Sequence, residues 1–284
     1  MLESALATER LGRRYGRRTG WALRGVTINI PVGSVTALVG PNGAGKTTLI
    51  RTWIGFERPD EGRALVGDLD VRRDRKGAVR LLGYVPQANA LYRDMTVGDH
   101  FRFAKVYRPT FDHASALQRV AAVGVPVQRR IGDLSGGEQA QVALAIALAV
   151  RARILLLDEP LSSLDPMSRR EFLDVLSREV RETGATALLS SHIVTDIEQV
   201  CDRLAILARG RLVYDDSIAQ ATATHRTVPV VPELARDRVV GSFPGPGGEL
   251  TLLRDSPETD ASNGQSTLEE IVLGYLAAAR QEVH

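Results

Sequence analysis

The stretch "SVTALVGPNGAGKTTLI", Ser34 to Ile50, is where the fold is decided. Val35 to Val39 is a short apolar, β-branched run of the kind that forms a buried strand. "GPNGAGKT" follows at once and satisfies G-x-x-x-x-G-K-[ST]; "KTTLIRTWIGF" after it is expected to be a helix. Gly40, Gly43 and Gly45 let the backbone turn tightly, so N–H groups of a loop that also holds Pro41, Asn42 and Ala44 point inward at β- and γ-phosphates. Lys46 adds a positive charge, and the helix that starts there turns its positive end to the same phosphates. The Thr47 hydroxyl is placed to ligate Mg²⁺, and Thr48 beside it is a phosphate donor. Average composition gives this pattern by luck in about one chain in a hundred of this length. The strand before it and the helix after it supply the context a phosphate loop requires.

A carboxylate complements the loop. "ILLLDEP", Ile154 to Pro160, is an apolar run ending in two acids, a buried strand that delivers carboxylates to its C-terminal edge. Open α/β sheets bind ligands at that edge. Asp158 is placed to hold Mg²⁺ through water, and Glu159 to polarise a water against the γ-phosphate. An Asp-Glu pair alone would be an ordinary solvated strand end. Beside a phosphate loop it is a catalytic pair.

Strands and helices alternate along much of the chain. "WALRGVTINI" and "RALVGDLDV" are expected strands, as are "ATALLS", "RLAILARG" and "RLVYDD"; helices are expected through "SRREFLDVLSREVRE" and near "IVTDIEQV". Such alternation predicts an α/β fold with a mostly parallel sheet and helices on both faces. About residues 88–150 are different in kind. "TVGDHFRFAKVY", "DHASALQRVAAVG" and "GEQAQVALAIALAV" have helical periodicity, with Thr96 and Asp112 as N-caps, and form a helical insertion. Past about residue 218 a small extension begins. "TVPVV", "RVVGSF" and "ELTLL" are candidate strands, the last two joined as a hairpin through "PGPGG". A polar linker, "RDSPETDASNGQ", leads to a terminal helix with a capping box from Ser266 to Glu269. Its stripe of Leu268, Ile271, Val272, Tyr275 and Leu276 is expected to be a docking face.

A phosphate loop and an acid pair would equally suit a GTPase or a small kinase. "LSGGE", Leu134 to Glu138, argues against both. Ser135 and the bare N–H groups of Gly136 and Gly137 open a helix and make a second anion site. It lies in the helical insertion, away from the first loop. Two chains packed head to tail, each offering this loop to the nucleotide held by the other, satisfy that geometry.

The bulk properties narrow the setting. A chain of 284 residues buries a full core, and a net charge of +2 gives no electrostatic case for a nucleic-acid partner. The one cysteine, Cys201, rules out an internal disulfide and fits a reducing compartment. "VALAIALAV" ends at Arg151 and is far shorter than the ~20 residues of a membrane span, and no signal-peptide pattern opens the chain. Membrane work therefore requires another chain.

With these motifs in order, residues from about Leu11 to Asp216 resemble the nucleotide-binding subunits of ATP-binding cassette (ABC) transporters. The resemblance implies a P-loop core with an antiparallel β-subdomain and an inserted helical subdomain over an ATPase domain of residues 1–218, with residues 219–284 as the C-terminal extension. It implies that Tyr15 stacks on adenine. Gln87, in "YVPQ", would touch Mg²⁺ and the attacking water. "LSGGE" is the signature motif, Glu159 the catalytic carboxylate, Asp165 in "SSLDP" the loop that crosses between subunits, and His192 in "SSH" the switch histidine at the γ-phosphate. The cofactors implied are ATP and Mg²⁺. The partners implied are a transmembrane permease subunit and a second ATPase subunit, a homodimer being favoured, at the cytoplasmic face of the cell membrane. Gln141, Ile146 and Ala152 depart from residues common in the family. With "LYRDMTVGDHFRFAKVYRPTFD" they shift the resemblance towards bacterial exporter subunits. The alternative is an ABC ATPase without a transport role, such as a cofactor-assembly factor.

Overall fold

The computed structural model describes residues 4–16, 20–87, 91–162, 164–195, 197–254 and 266–281. The chain begins with strands β1 (Ser4–Arg14), β2 (Trp21–Pro31) and β3 (Val35–Val39), followed by helix α1 (Lys46–Ile54). Next come β4 (Glu61–Val66), β5 (Leu69–Asp70), α2 (Arg75–Arg80) and β6 (Leu82–Val85). Three helices follow: α3 (Val97–Tyr107), α4 (His113–Ala122) and α5 (Gly136–Ala149). The α/β pattern resumes with β7 (Ile154–Asp158), α6 (Pro166–Thr183), β8 (Thr186–Ser191), β9 (Arg203–Ala208) and β10 (Arg211–Ser217). The C-terminal part consists of α7 (Ile218–Thr224), β11 (His225–Val228), β12 (Val239–Gly245), β13 (Gly248–Arg254) and α8 (Leu268–Gln281).

The main sheet has the order β10-β9-β3-β8-β7-β6, parallel except for the β9–β10 hairpin. A four-stranded antiparallel sheet, β2-β1-β4-β5, covers one side. β1 lies in a stretch for which the sequence reading expected no strand. The expected strand "RALVGDLDV" is instead the β4–β5 hairpin, folded at Gly67 with Val66 opposite Leu69.

Period-two alternation divides the strands between two cores. Leu155 and Leu157 of β7 face a cluster that includes Phe172 and Leu176 of α6, while Ile154 and Leu156 face one built on Trp53 and the antiparallel sheet. A third cluster, around Phe101, Phe111 and Val142, holds the helical segment together. α5 belongs to two of them: Leu144 and Leu148 pack on the sheet side, Val142, Ala145 and Ala149 on the helical side. This dual role explains why "ALAIALA" is apolar all round. Thr96 and Asp112 cap α3 and α4 as expected.

Three other expectations are corrected. The described residues from Ile193 to Val200 form turns rather than a helix, stitched by Ile197 N–H to the Val194 carbonyl and Val200 N–H to the Ile197 carbonyl. Asp202 then ties the chain to β3, accepting from the Val35 N–H at 2.8 Å just before β9. β11 ends at Val228, because Pro229 has no N–H to continue the ladder. The cap of α8 is the pair Thr267 and Glu270, one residue later than Ser266 and Glu269. Ser266 is unavailable because its hydroxyl bonds Thr227 of β11 at 2.7 Å. The linker expected over Arg254–Gln265 falls, past Arg254, outside the described residues.

The docking face of α8 is filled by the chain itself. Leu268, Ile271, Val272 and Tyr275 enter the same core as α6, together with Phe243 of β12 and Leu252 of β13. No helix of the described residues is long and apolar enough to cross a membrane. Backbone contact lets α8 seat so closely. A Cβ on Gly241 would lie 2.4 Å from the Gly274 carbonyl oxygen, and one on Gly274 would lie 2.6 Å from Leu252 Cβ. Gly274→Val should therefore destabilise the protein by about 1–3 kcal/mol through overpacking. A lower urea midpoint, with faster proteolysis of the terminal helix, checks this.

Candidate functional site

β3 is buried along its whole length and releases the chain into the loop from Gly40 to Gly45 at the C-terminal edge of the sheet. Gly45 sits at φ +106°, with the Ala22 carbonyl 2.5 Å from where a Cβ would be, so this position accepts glycine alone. It is also the N-cap of α1 and offers no side-chain acceptor. The first N–H groups of α1 thus face the loop without a side-chain cap, which is the arrangement that receives an anion. Lys46 is 3% exposed, and its Nζ donates to the Gly40 carbonyl at 2.7 Å.

The two acids differ in role because their surroundings differ. Asp158 Oδ1 accepts from the hydroxyls of Thr47 (3.1 Å) and Ser190 (3.0 Å). Its Oδ2 is buried with no hydrogen-bond partner. Burial pushes the Asp158 carboxyl above the usual carboxylate range, with the two hydroxyls pulling the other way. A buried, unpartnered carboxylate oxygen beside a threonine hydroxyl fits a magnesium aquo-ion, whose remaining ligands would be water and phosphate. The donor set is hard oxygen throughout, and no cluster of three or more His, Cys, Asp or Glu exists among the described residues.

Glu159 is held in a backbone conformation that a non-glycine residue rarely adopts, φ +47°. Its N–H donates to Ser190 Oγ at 2.8 Å, which anchors the turn. Three polar side chains surround its carboxylate: Lys46 Nζ at 3.0 Å, Gln87 Nε2 at 3.3 Å and His192 Nδ1 at 3.5 Å. Ser190 thus bridges Asp158 and Glu159, a role the sequence reading missed. The signal was present in "SSH", two positions before His192, but it needed the register that sets Ser190 opposite Asp158.

Tyr15 lies at the other rim of the loop. Its hydroxyl is 3.1 Å from Thr48 Oγ1, and the Arg13 guanidinium lies 5.1 Å from the ring centroid. Arg13 is itself held by Glu57 at 2.9 Å and Asp60 at 3.2 Å. The ring is 56% exposed and can accept a planar group. The sequence reading also missed this Arg13 support, which depends on residues more than forty positions away.

Ser135, Gly136 and Gly137 are elsewhere. Among the described residues, no hydrogen bond or ion pair joins them to the phosphate loop of their own chain. Ser135 caps α5 in a reciprocal box with Glu138: its N–H reaches Glu138 Oε2 at 2.7 Å, and its Oγ accepts from the Glu138 N–H at 3.2 Å. Asp165 caps α6 and accepts from the Ser168 hydroxyl at 2.6 Å, a bond that holds its carboxyl below the usual range. Ser168 lies against Gly137, with its Oγ 2.7 Å from where a Cβ would be. The signature loop and the Asp165 loop are therefore neighbours, while Pro41 and Asn42 face solvent beside the phosphate loop.

Against known proteins, the family described as "ABC transporter" matches residues 23–162. The iron(III) import ATP-binding protein FbpC of Pseudomonas fluorescens is 41% identical over 199 residues, spanning 68% of this chain and 56% of FbpC. The methionine import ATP-binding protein MetN 1 of Burkholderia lata is 38% identical over 220 residues, 73% of this chain and 64% of MetN 1. The chain thus spans 56–64% of the length of these relatives. Among solved structures, cbiO1 of Clostridium perfringens, part of the transporter complex cbiONQ, superposes with a TM-score of 0.66 at 28% identity, over 76% of this chain and 89% of cbiO1. Both curated relatives are named as importers, which speaks against the export direction expected from the sequence.

Because the folded-state pKa of Asp158 is raised, its ionised form lowers stability near neutral pH, and that penalty vanishes as the folded protein takes up the proton in acid. Asp158→Asn keeps an acceptor for Thr47 and Ser190. It should raise the melting temperature of the nucleotide-free protein at neutral pH by about 2 °C, with the gap closing as pH falls. A variant that melts earlier than wild type at neutral pH would contradict this.

Proposed function

The chain belongs to the ABC transporter family of ATP-binding subunits, and from that premise we propose that it is the ATP-hydrolysing motor of a transporter whose membrane-spanning permease is a separate chain. The observation that carries this reading is the convergence of Lys46, Gln87 and His192 on the carboxylate of Glu159, itself held at φ +47° on a strand end.

In this reading ATP lays its adenine on Tyr15 and its triphosphate in the loop from Gly40 to Thr48. Lys46 exchanges Glu159 for the β- and γ-phosphates. Thr47, Gln87 and Asp158 would hold Mg²⁺, which would neutralise phosphate charge when bound. Freed of Lys46, Glu159 accepts a proton from a water that attacks the γ-phosphorus as the bond to the β-phosphate oxygen breaks, giving ADP and phosphate. Gln87 orients that water and His192 holds the γ-phosphate.

Among the described residues, no hydrogen bond or ion pair joins Ser135, Gly136 or Gly137 to the phosphate loop of their own chain, so in this reading they serve the nucleotide of a second copy, with Asp165 at the crossing. Binding closes the pair of subunits. Phosphate loss opens it, an order-and-release switch. The aromatic surface of the helical segment supports a permease contact. Tyr92, Phe103 and Tyr107 are exposed and adjoin in series: Tyr92 meets Phe103 edge-on at 6.3 Å, and the Phe103 and Tyr107 centroids lie 4.7 Å apart with the rings tilted. Such an exposed apolar patch marks an interaction site. The names of the relatives favour import, so direction is no part of the proposal.

Glu159→Gln should lower turnover by roughly 10²–10⁴ while accumulating an ATP-dependent dimer on size exclusion. Adding Ser135→Arg should leave ATP binding intact and return that protein to monomer. Turnover at the wild-type rate in the first variant, or dimers in the second, would refute the assignment. Phe103→Glu with Tyr107→Glu should abolish co-purification with the permease from detergent-solubilised membranes and leave ATP affinity unchanged.

A further inference from the structure

A cleft of about 650 Å³ runs between the C-terminal hairpin and helix and the outer edge of the main sheet, and none of the steps above uses it. Arg24 of β2 and Arg211 of β10 line its core side; Arg238, Arg254 and Tyr275 line the side of the extension. Val213 and Ala278 form part of its apolar floor. Against these guanidinium groups stands one lining carboxylate, Asp237. The side chains of Arg24 and Arg211 are exposed, and no ion pair or side-chain hydrogen bond engages them among the described residues, whereas Arg254 is hydrogen-bonded to Tyr275 and Arg238 also has a partner. Several like charges around one concavity with an apolar floor focus a positive potential and repel one another, and an anion relieves both. Arginine in particular suits carboxylate and phosphate, which accept its paired donors.

The core side of the cleft is attached to the phosphate loop. Gly210, next to Arg211, donates its N–H to the Ala44 carbonyl at 2.9 Å, and its own carbonyl accepts from the Arg24 N–H at 2.8 Å. One turn of backbone therefore touches both arginines and the loop. A ligand that draws Arg24 and Arg211 towards Arg238 and Arg254 pulls on that turn.

We propose that this cleft is an effector site for a small soluble polyanion, a phosphate ester or polycarboxylate with a hydroxyl or ammonium donor for Asp237, and that its occupancy is coupled to the nucleotide loop through Gly210. The coupling rests on the nucleotide-binding reading above; the site itself does not. By linkage the effect is reciprocal: nucleotide alters effector affinity by the factor with which effector alters nucleotide affinity.

The test is calorimetry on the nucleotide-free, full-length chain with citrate and 3-phosphoglycerate as probes. At least one should bind saturably with a Kd below about 1 mM. Arg211→Gln with Arg254→Gln should weaken it at least about tenfold without lowering the melting temperature, whereas Lys46→Ala should leave it unchanged. The bound probe should shift ATP affinity at least about fivefold. Failure of both probes to saturate by about 10 mM would overturn the site, as would a loss of binding in Lys46→Ala with none in the double variant. Probe binding with unshifted ATP affinity would overturn the coupling. Vesicles of phosphatidylglycerol that sediment the wild type but not the double variant, with both soluble probes silent, would assign the cleft to a lipid headgroup and refute the soluble effector.

Discussion

The buried ion pair between Lys46 and Glu159 is the contact on which the site depends. Both side chains are more than nine-tenths buried, and each is the other's counter-charge. Removing one partner of such a pair strands a charge in a low-dielectric setting, which typically costs 3–5 kcal/mol. The lysine can therefore leave the glutamate only when another anion takes its place. In the proposed reaction a triphosphate supplies that anion and, by taking the lysine, leaves the carboxylate free to accept a proton. In that reading the Lys46–Glu159 contact also keeps the proposed base engaged until a triphosphate takes the lysine.

The geometry that makes this pair possible is a matter of strand order. β3 carries the phosphate loop, and β8 lies between it and β7. Because β7 and β8 are parallel and in register at Asp158 and Ser190, one hydroxyl serves both acids, and His192 emerges one residue past β8 beside Glu159. Ser190 accepts from the strained Glu159 N–H and donates to Asp158, so the left-handed turn at Glu159 is held by a bond that also orients the other carboxylate.

Two helices connect this centre to the rest of the molecule. α5 starts at the signature loop and packs on both the sheet and the helical segment, so the loop cannot move without one of the two. α6 starts at Asp165 and sets Ser168 against Gly137. The loop of Ser135 to Gly137 and the loop that follows Glu159 are thereby adjacent. The C-terminal extension enters the same core through α8, and its remaining rim forms the arginine-lined cleft.

Local chemistry was legible in the residues themselves. The glycine loop between a strand and a helix, the acids at the end of "ILLLD", the caps Thr96 and Asp112, and the "PGPGG" hairpin all obey rules that span a few positions. The reading erred where distant contacts compete with local preference. Ser266 has the right spacing for a cap but bonds Thr227 instead, and "IVTDIEQV" has a helical pattern yet its described residues form turns ahead of Asp202, which is tied to β3. By itself, then, the sequence determined the fold class and named the side chains proposed to bind phosphate and metal, because both readings follow from nearest-neighbour geometry. Only the tertiary structure decided that Lys46, Gln87 and His192 meet at Glu159, that Ser190 bridges the acids, and that the last helix seals the core. Those depend on sheet order and register, set by packing between residues as many as a hundred positions apart or more.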